Sequence, residues 1–529
     1  MGSKAASVGG LLLQQAESLG DRAFVTHDKL TFGYATMADH AARIAGGLRA
    51  LGVKQGDRVC IMLANGLPFY EAWFGVQHLG AVAIPINTAY RGDLLAYVLN
   101  DARASALIVD NNLLERVSFV SSSLRATLQV AVVGATDASM LEPSAVNLVP
   151  TKFERLLEIS PMPLARVVAE DVAVIMYTSG TTGPSKGALI CHHGLLAFAR
   201  NHAKFCDITA ELRCFTNLPL FHGIALVMGT HATLLSGGHL TLGTRFSATT
   251  FWEDIRRSGA GYASITGSIA QILYKQQPSE TDRDHDLRTV YAVPAPSAIY
   301  KDFEQRFGVR FVEAYGATDG QVITYTPEGA ARPGSCGKLI DGFELRIADD
   351  NDKPLPTTAT GEILYRSIEP YTMSLGYHGN PVATADANRG GWFHSGDLGY
   401  LDADGYLFFA DRKRDSLRRR GENVSSYEVE KVFNQHPDVV EAAAVAVPSE
   451  LGEDEIKIVV VLQPSVSLEA RTLIEWCEPR LPYFMVPRYV EFIDKLPKTP
   501  TEKIQKYLLR ETGTTQAWDR ERAGYVVRR

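Results

Sequence analysis

Residues 177–188 gather Thr178, Ser179, Thr181, Thr182 and Ser185 with Gly180, Gly183, Gly187 and Lys186. Glycines let a backbone approach a ligand and turn its N–H groups inward. The hydroxyls add donors, and the lysine adds a point charge. That is the chemistry of a loop wrapped around phosphate oxygens. No Gly-x-x-x-x-Gly-Lys-Ser/Thr spacing can be placed here, so it is not a Walker A loop. On its own, the same composition also suits a flexible Ser/Gly surface loop.

Such a loop needs strands and helices to hold it. The apolar run Val172 to Met176 reads as a buried strand leading into it. Upstream, helical periodicity over 36–52 ends at Gly52, and Val59 to Leu63 reads as a strand. A helix near 67–78, a strand at Ala81–Ile84, a helix near 92–100 and a strand at Ala106–Val109 repeat the pattern. Short apolar strands alternating with helices of 10–15 residues predict an α/β layer with parallel strands. The stretch 137–165 reads as a surface connector. From 333 to 410 short alternating strands between Gly, Pro, Asn and Asp predict a small β-rich subdomain. The charge run from Asp411 to Arg420 reads as a solvated linker. Beyond it, a helix at 426–436, strands at 438–447 and 456–462 and a helix at 468–480 predict a small α+β domain.

The chain has 529 residues, too many for one core. Its 46% hydrophobic and 21% charged composition is that of a soluble globular enzyme. A net charge of −7 argues against a nucleic-acid partner bound through counterion release. Six scattered cysteines, with no Cys-x-x-Cys pair, predict neither a disulfide framework nor a zinc site and fit a reducing cytoplasm. No run reaches transmembrane length, and Leu11 to Leu13 reads as the first turn of a helix rather than a signal peptide.

The loop at 177–188, Tyr315-Gly-Ala-Thr-Asp319, Gly391-Trp-Phe-His-Ser-Gly-Asp397, Asp411-Arg412 and Pro497-Lys-Thr-Pro-Thr-Glu-Lys503 follow one another in a fixed order. Together they resemble the adenylate-forming superfamily of acyl-CoA synthetases, peptide-synthetase adenylation domains and luciferases, from about residue 9 to residue 510. Phe307 to Phe311, Gly421 to Ser425 and Asp454 to Lys457 look most like the crotonobetaine/carnitine-CoA ligase branch.

The resemblance implies a large N-terminal domain over 1–410, a hinge at 411–415 and a mobile C-terminal domain over 416–529. It implies an ATP- and Mg²⁺-dependent acid–CoA ligase. A carboxylate attacks the α-phosphate of ATP to give acyl-AMP, and CoA then displaces AMP. Thr178, Ser179, Gly180, Thr181, Thr182 and Lys186 would hold the β- and γ-phosphates. Tyr315 and Gly316 would flank adenine, and Thr318 would donate to the α-phosphate. Asp319, where the family typically has glutamate, would hold Mg²⁺ with a side chain one methylene shorter. Asp397 would accept the ribose hydroxyls, and Arg412 would contact ribose or α-phosphate. Lys503 would bridge carboxylate and α-phosphate, preceded by Glu502 where relatives have glycine. His222 would gate the acyl pocket. Arg414 would be the pivot, Gly421 would flank the pantetheine tunnel, and Arg418, Arg419 and Arg420 could attract the phosphates of CoA.

The acyl pocket would be built from 222–227, 266–269 and 291–295, with Val293-Pro294 where many relatives place glycines and no obvious acid among these segments. Two alternatives stay open: a ligase with weakened adenylation that thioesterifies a supplied acyl-AMP, and a non-catalytic nucleotide- or acyl-binding protein. Relatives are monomers or dimers, which leaves a homodimer open.

Overall fold

The computed structural model describes residues 5–527 apart from 136–145, 179–184, 413–416, 420–421, 425, 449–453, 482–484 and 499–503. The chain divides into two compact units. One comprises Met1–Glu344 and Arg366–Phe393, the other Leu345–Tyr365 and His394–Arg529.

The first unit is built on two seven-stranded sheets, each parallel except at one edge. In one, the order runs Leu148–Lys152, Leu128–Val133, Ala106–Asp110, Arg58–Met62, Val82–Pro85, Val172–Thr178 and Lys186–Cys191. Its inner strands are mostly apolar, as strands buried on both faces require. Cys60, Ile84, Leu107, Val109, Val130 and Ile175 are all buried in one cluster with helix residues Leu95, Val98 and Leu99. The helix Tyr34–Ala50 buries Met37, Ala41, Ile44, Ala45 and Leu48, the stripe that 3.6-residue periodicity sets on one face.

The second sheet runs Arg310–Val312, Thr289–Val293, Tyr262–Thr266, Arg213–Thr216, His239–Leu242, Ala23–His27 and Leu30–Gly33. The α/β expectation is met, as are the helices near 67–78 and 92–100, observed at Leu67–Leu79 and Gly92–Asp101. The supposed connector differs. Leu148–Lys152 pairs in parallel with Leu128–Val133 as an edge strand, and residues 136–145 lie outside the described residues.

In the second unit a four-stranded sheet orders Phe343–Ala348, Gly361–Ser367, Phe393–Leu401 and Leu407–Arg412, its first three strands having end residues that belong to the first unit. A further sheet of Val439–Pro448, Asp454–Leu462, Tyr489–Phe492 and Trp518–Asp519 packs the helices Ser426–Asn434 and Ala470–Cys477. Val429, Phe433, Ile456, Ile458, Leu473 and Ile474 form its core.

The charge run at 411–420 is not simply a solvated linker. Asp411 and Arg419 are buried, and Leu417–Arg419 pairs with Glu422–Val424. The Arg419 Nε lies 2.8 Å from Glu455 Oε2, and its Nη1 donates to the Val486 carbonyl at 2.9 Å. Charge pattern alone marked Arg419 as solvated and free to attract CoA phosphates. The ion pair with Glu455, 36 residues ahead, accounts for its burial instead.

Candidate active site

The phosphate-type loop hangs between two antiparallel strands at the sheet edge, with Thr178 opposite Lys186 at its mouth. Ser179, Gly180, Thr181 and Thr182 lie outside the described residues, as does the side chain of Thr178. Both roots of the loop are anchored. The Tyr177 hydroxyl donates to Asp101 Oδ2 at 2.6 Å. Burial and that carboxylate push its phenol up, so it stays a donor. The Tyr97 hydroxyl donates to the Ser185 carbonyl at 2.9 Å, one residue before Lys186.

Tyr315 and Gly316 belong to the strand Ala314–Ala317, which turns back into Gln321–Tyr325 with a bulge between Tyr315 and Gly316. Tyr315 is buried, its N–H donating to Thr324 Oγ1 at 3.0 Å. A Cβ on Gly316 would stand 2.2 Å from the Gln321 carbonyl oxygen, so strand packing alone requires glycine there. Thr318 and Asp319 are half-buried in the turn between these strands. That turn closes on Gln321, whose φ of 82° lies in the left-handed region that non-glycine residues avoid. Its amide donates to the Thr372 carbonyl at 2.9 Å and the Gly194 carbonyl at 3.4 Å, contacts that hold the strained backbone.

The structure brings Lys186 and Asp319 to one residue that the sequence did not mark, Tyr377. Its hydroxyl donates to Asp319 Oδ2 at 2.5 Å, and Lys186 Nζ lies 4.9 Å from its ring centroid. Burial first, then Asp319, pushes this phenol up and keeps it protonated. Tyr377 lies 58 residues from Asp319 and 191 from Lys186, in a loop-like stretch without periodicity, so no local signal could have found it.

No group of three or more His, Cys, Asp or Glu side chains able to cage a metal exists among the described residues. A single half-buried carboxylate with one oxygen engaged is a donor set that fits Mg²⁺, which is held largely by nucleotide phosphates and water.

Glu313, two residues before Tyr315, was also missed. It is 3% exposed, it accepts a hydrogen bond from the Ala295 N–H, and its Oε2 is buried without a partner. An acid therefore does sit against the 291–295 segment, contrary to the sequence expectation. The signal was absent because Glu313 lies on the neighbouring strand's end rather than in the segment itself. Burial pushes its carboxyl up to about 8.

An unfolded glutamate near 4.5 releases its proton earlier, so between pH 4.5 and about 8 the native state binds more protons. Its contribution to stability consequently falls as pH rises through that window, by about 1.4 kcal/mol per pH unit at most, and levels off above it. Glu313→Gln keeps the acceptor for Ala295. It is expected to flatten the decline of unfolding free energy between pH 5 and 8, measured by urea titration. Parallel wild-type and variant curves would refute this.

In the other unit, Asp397 and Arg412 are direct cross-strand partners. Asp397 is set by Gly396, with φ 70°, and by Ser395, whose Oγ accepts the Asp397 N–H at 3.1 Å and donates to the Ile363 carbonyl at 2.7 Å. The side chain of Arg412 is not described. Arg414, Gly421, Glu502 and Lys503 lie outside the described residues.

The flanks of Lys503 are described. Lys498 bridges to Ile504, and the Gln505 N–H donates to the Pro497 carbonyl at 2.8 Å. Lys498 pairs with Glu441 at 2.6 Å and Lys506 with Glu430 at 2.8 Å. Lys506 also donates to Ser426 Oγ at 2.6 Å, and Asp411 accepts the Ser426 N–H at 2.6 Å.

His222 precedes Ile224–His231, which winds as a π-helix with residues 225–231 buried. Such widened turns occur often at functional sites. The Leu226 N–H donates to the His222 carbonyl at 2.9 Å, which ties His222 to the start of that helix. The expected pocket segments 266–269 and 291–295 occupy the carboxyl ends of neighbouring parallel strands, where α/β sheets bind ligands.

The family described as AMP-binding enzyme matches residues 12–378, and the AMP-binding enzyme C-terminal domain matches 428–503. The crotonobetaine/carnitine–CoA ligase of Salmonella paratyphi C (strain RKS4594) is 30% identical over 480 residues, covering 90% of this chain and 92% of that protein. Among solved structures, the anthranilate CoA ligase AuaEII in complex with anthranoyl-AMP superposes with a TM-score of 0.87 at 25% identity, covering 96% and 97% of the two chains. ATP-bound MatB from Rhodopseudomonas palustris gives 0.84 at 25% identity, covering 95% and 98%. No helix among the described residues is long and apolar enough to cross a membrane. With both family matches in order along one chain, this protein belongs to the AMP-binding enzymes, as an AMP-forming acyl-CoA ligase.

Proposed function

We propose that the chain activates a small carboxylic acid in two steps, forming acyl-AMP with release of pyrophosphate and then an acyl-CoA thioester with release of AMP. The observation that carries this reading is the convergence of Lys186 and Asp319 on Tyr377. It brings the loop lysine and a carboxylate, drawn from motifs 133 residues apart, to one tyrosine of the first unit, which supports a phosphate-binding role for the first and a hard-ligand role for the second. Donors and charges fixed there before ATP arrives cost no reorganisation when charge moves to pyrophosphate. Bound Mg²⁺ would be held by Asp319 and would neutralise phosphate charge.

Tyr315 would lie on adenine. Thr318 would donate to the α-phosphate, and Asp397 and Arg412 would hold the ribose. His222 would gate the acyl pocket, and Lys503 would bring the two reacting anions together. A hinge at 411–415 would let the region after it exchange poses between the half-reactions, with Gly421 flanking the path of CoA. The acid is one of a class that includes quaternary-ammonium and aromatic acids, after the relatives' names.

A panel of carnitine, crotonobetaine, anthranilate, benzoate and short aliphatic acids tests this reading. One acid is expected to support both ATP–pyrophosphate exchange and CoA-dependent AMP release. Thioester formation from supplied acyl-AMP, with no exchange for any acid, would instead favour a ligase that Asp319 and Glu502 have weakened in adenylation.

A further inference from the structure

The backbone of Tyr377 is fixed from three sides. Residues 375–378 lie antiparallel along Lys186–Cys191. Leu375 N–H donates to the Leu189 carbonyl at 2.8 Å, Leu189 N–H to the Gly376 carbonyl at 2.9 Å, and His378 N–H to the Gly187 carbonyl at 2.8 Å. Gly376 has φ 110°, and a Cβ there would fall 2.3 Å from Thr384 Cγ2, so the strap accepts only glycine before Tyr377. Thr384 Oγ1 in turn accepts the Tyr377 N–H at 2.9 Å. From this base the hydroxyl reaches one oxygen of Asp319, whose other oxygen has no partner among the described residues.

We propose that Tyr377 is a positioning residue that occupies Oδ2 of Asp319 and so presents Oδ1, as a single oriented ligand, to the Mg²⁺ of bound nucleotide. This rests on the proposed role of Asp319. A carboxylate free to rotate offers a small hard cation two geometries, and Mg²⁺ tolerates few. A hydrogen bond to one oxygen removes that choice. The loop lysine and the metal ligand thus share one aromatic ring, so the strap sets the spacing between the positive and negative elements of the site.

Tyr377→Phe keeps the ring beside Lys186 and deletes only the hydroxyl. The expected result is about a tenfold rise in the Mg²⁺ concentration for half-maximal pyrophosphate exchange, the scale of one hydrogen bond to a charged group. Mn²⁺ binding in the presence of a non-hydrolysable ATP analogue, followed by electron paramagnetic resonance, should weaken by a similar factor. Affinity for the metal-free analogue should stay unchanged.

Asp319→Asn should also bind Mn²⁺ poorly, and adding Tyr377→Phe to it should cause little further loss, a coupling a merely structural tyrosine would not show. Equal Mn²⁺ affinity in wild type and Tyr377→Phe overturns the positioning role alone. Wild-type protein that binds the analogue without drawing in Mn²⁺ overturns the role of Asp319 and this proposal with it.

Discussion

Replacing Lys503 by alanine is expected to lower ATP–pyrophosphate exchange by about 100- to 1,000-fold, the usual scale for losing one oriented charge-stabilising group, while thioester formation from supplied acyl-AMP is largely spared. In the proposed two-step reaction, the half-reactions differ in what they ask of a cation. Adenylation brings a carboxylate against a phosphate, two anions whose repulsion a flexible ammonium can neutralise. Thiolation attacks a neutralised acyl carbon and has no such need. The position suits a clean deletion because both flanks of the 499–503 segment are pinned independently of Lys503. The Lys498–Ile504 bridge, the Lys498–Glu441 pair and the Lys506–Glu430 pair all survive the substitution. Equal losses in both half-reactions would mark Lys503 as structural, and no loss in either would remove it from the chemistry.

Arg419→Ala is expected to destabilise the second unit by about 3–5 kcal/mol, because it leaves Glu455 charged and buried without its partner. The two side chains are 2% and 5% exposed, and Arg419 also satisfies the Val486 carbonyl. Replacing both members with apolar residues, Arg419→Met with Glu455→Leu, should recover most of that loss, since the desolvation of two charges is removed together with their attraction. Calorimetry resolves the outcome. A transition unmoved by Arg419→Ala would mean that the pair contributes nothing, and a double variant as unstable as the single would locate the effect in packing rather than charge. CoA turnover by the double variant adds a second reading: little change in KM for CoA follows if Arg419 is a core residue rather than a phosphate contact.

Much of the fold was readable because its signals are local. The parallel strands Arg58–Met62, Ala106–Asp110 and Val172–Thr178 are short apolar runs between amphipathic helices, and burial on both faces leaves no other reading. The loop at 177–188 announced itself by composition, and the structure adds the anchors Tyr177–Asp101 and Tyr97–Ser185 that fix its ends. What escaped was whatever depends on a distant partner. Leu148–Lys152 became a strand because a sheet edge was open to it, not because its residues alternate. Arg419 looked solvated because Glu455 was not yet beside it. Tyr377 carries no motif chemistry of its own, and its meaning comes from the two residues that the strap delivers to its ring. Gly316 was read through a ligand, yet the packing of Gln321 against it requires glycine by itself.

All six cysteines are buried. Burial raises the thiols of Cys60, Cys191, Cys206, Cys214 and Cys477, with Cys214 and Cys477 pushed up to about 12, so the nucleophilic thiolate is scarce as well as shielded. An alkylating reagent therefore meets a thiol only when the surrounding structure opens, and its rate of incorporation measures the frequency of opening rather than surface chemistry. Cys477 is the one cysteine in the second unit, while Cys60 and Cys214 sit in the two sheets of the first. The native sequence thus carries separate clocks for its two units, readable by mass without adding a label.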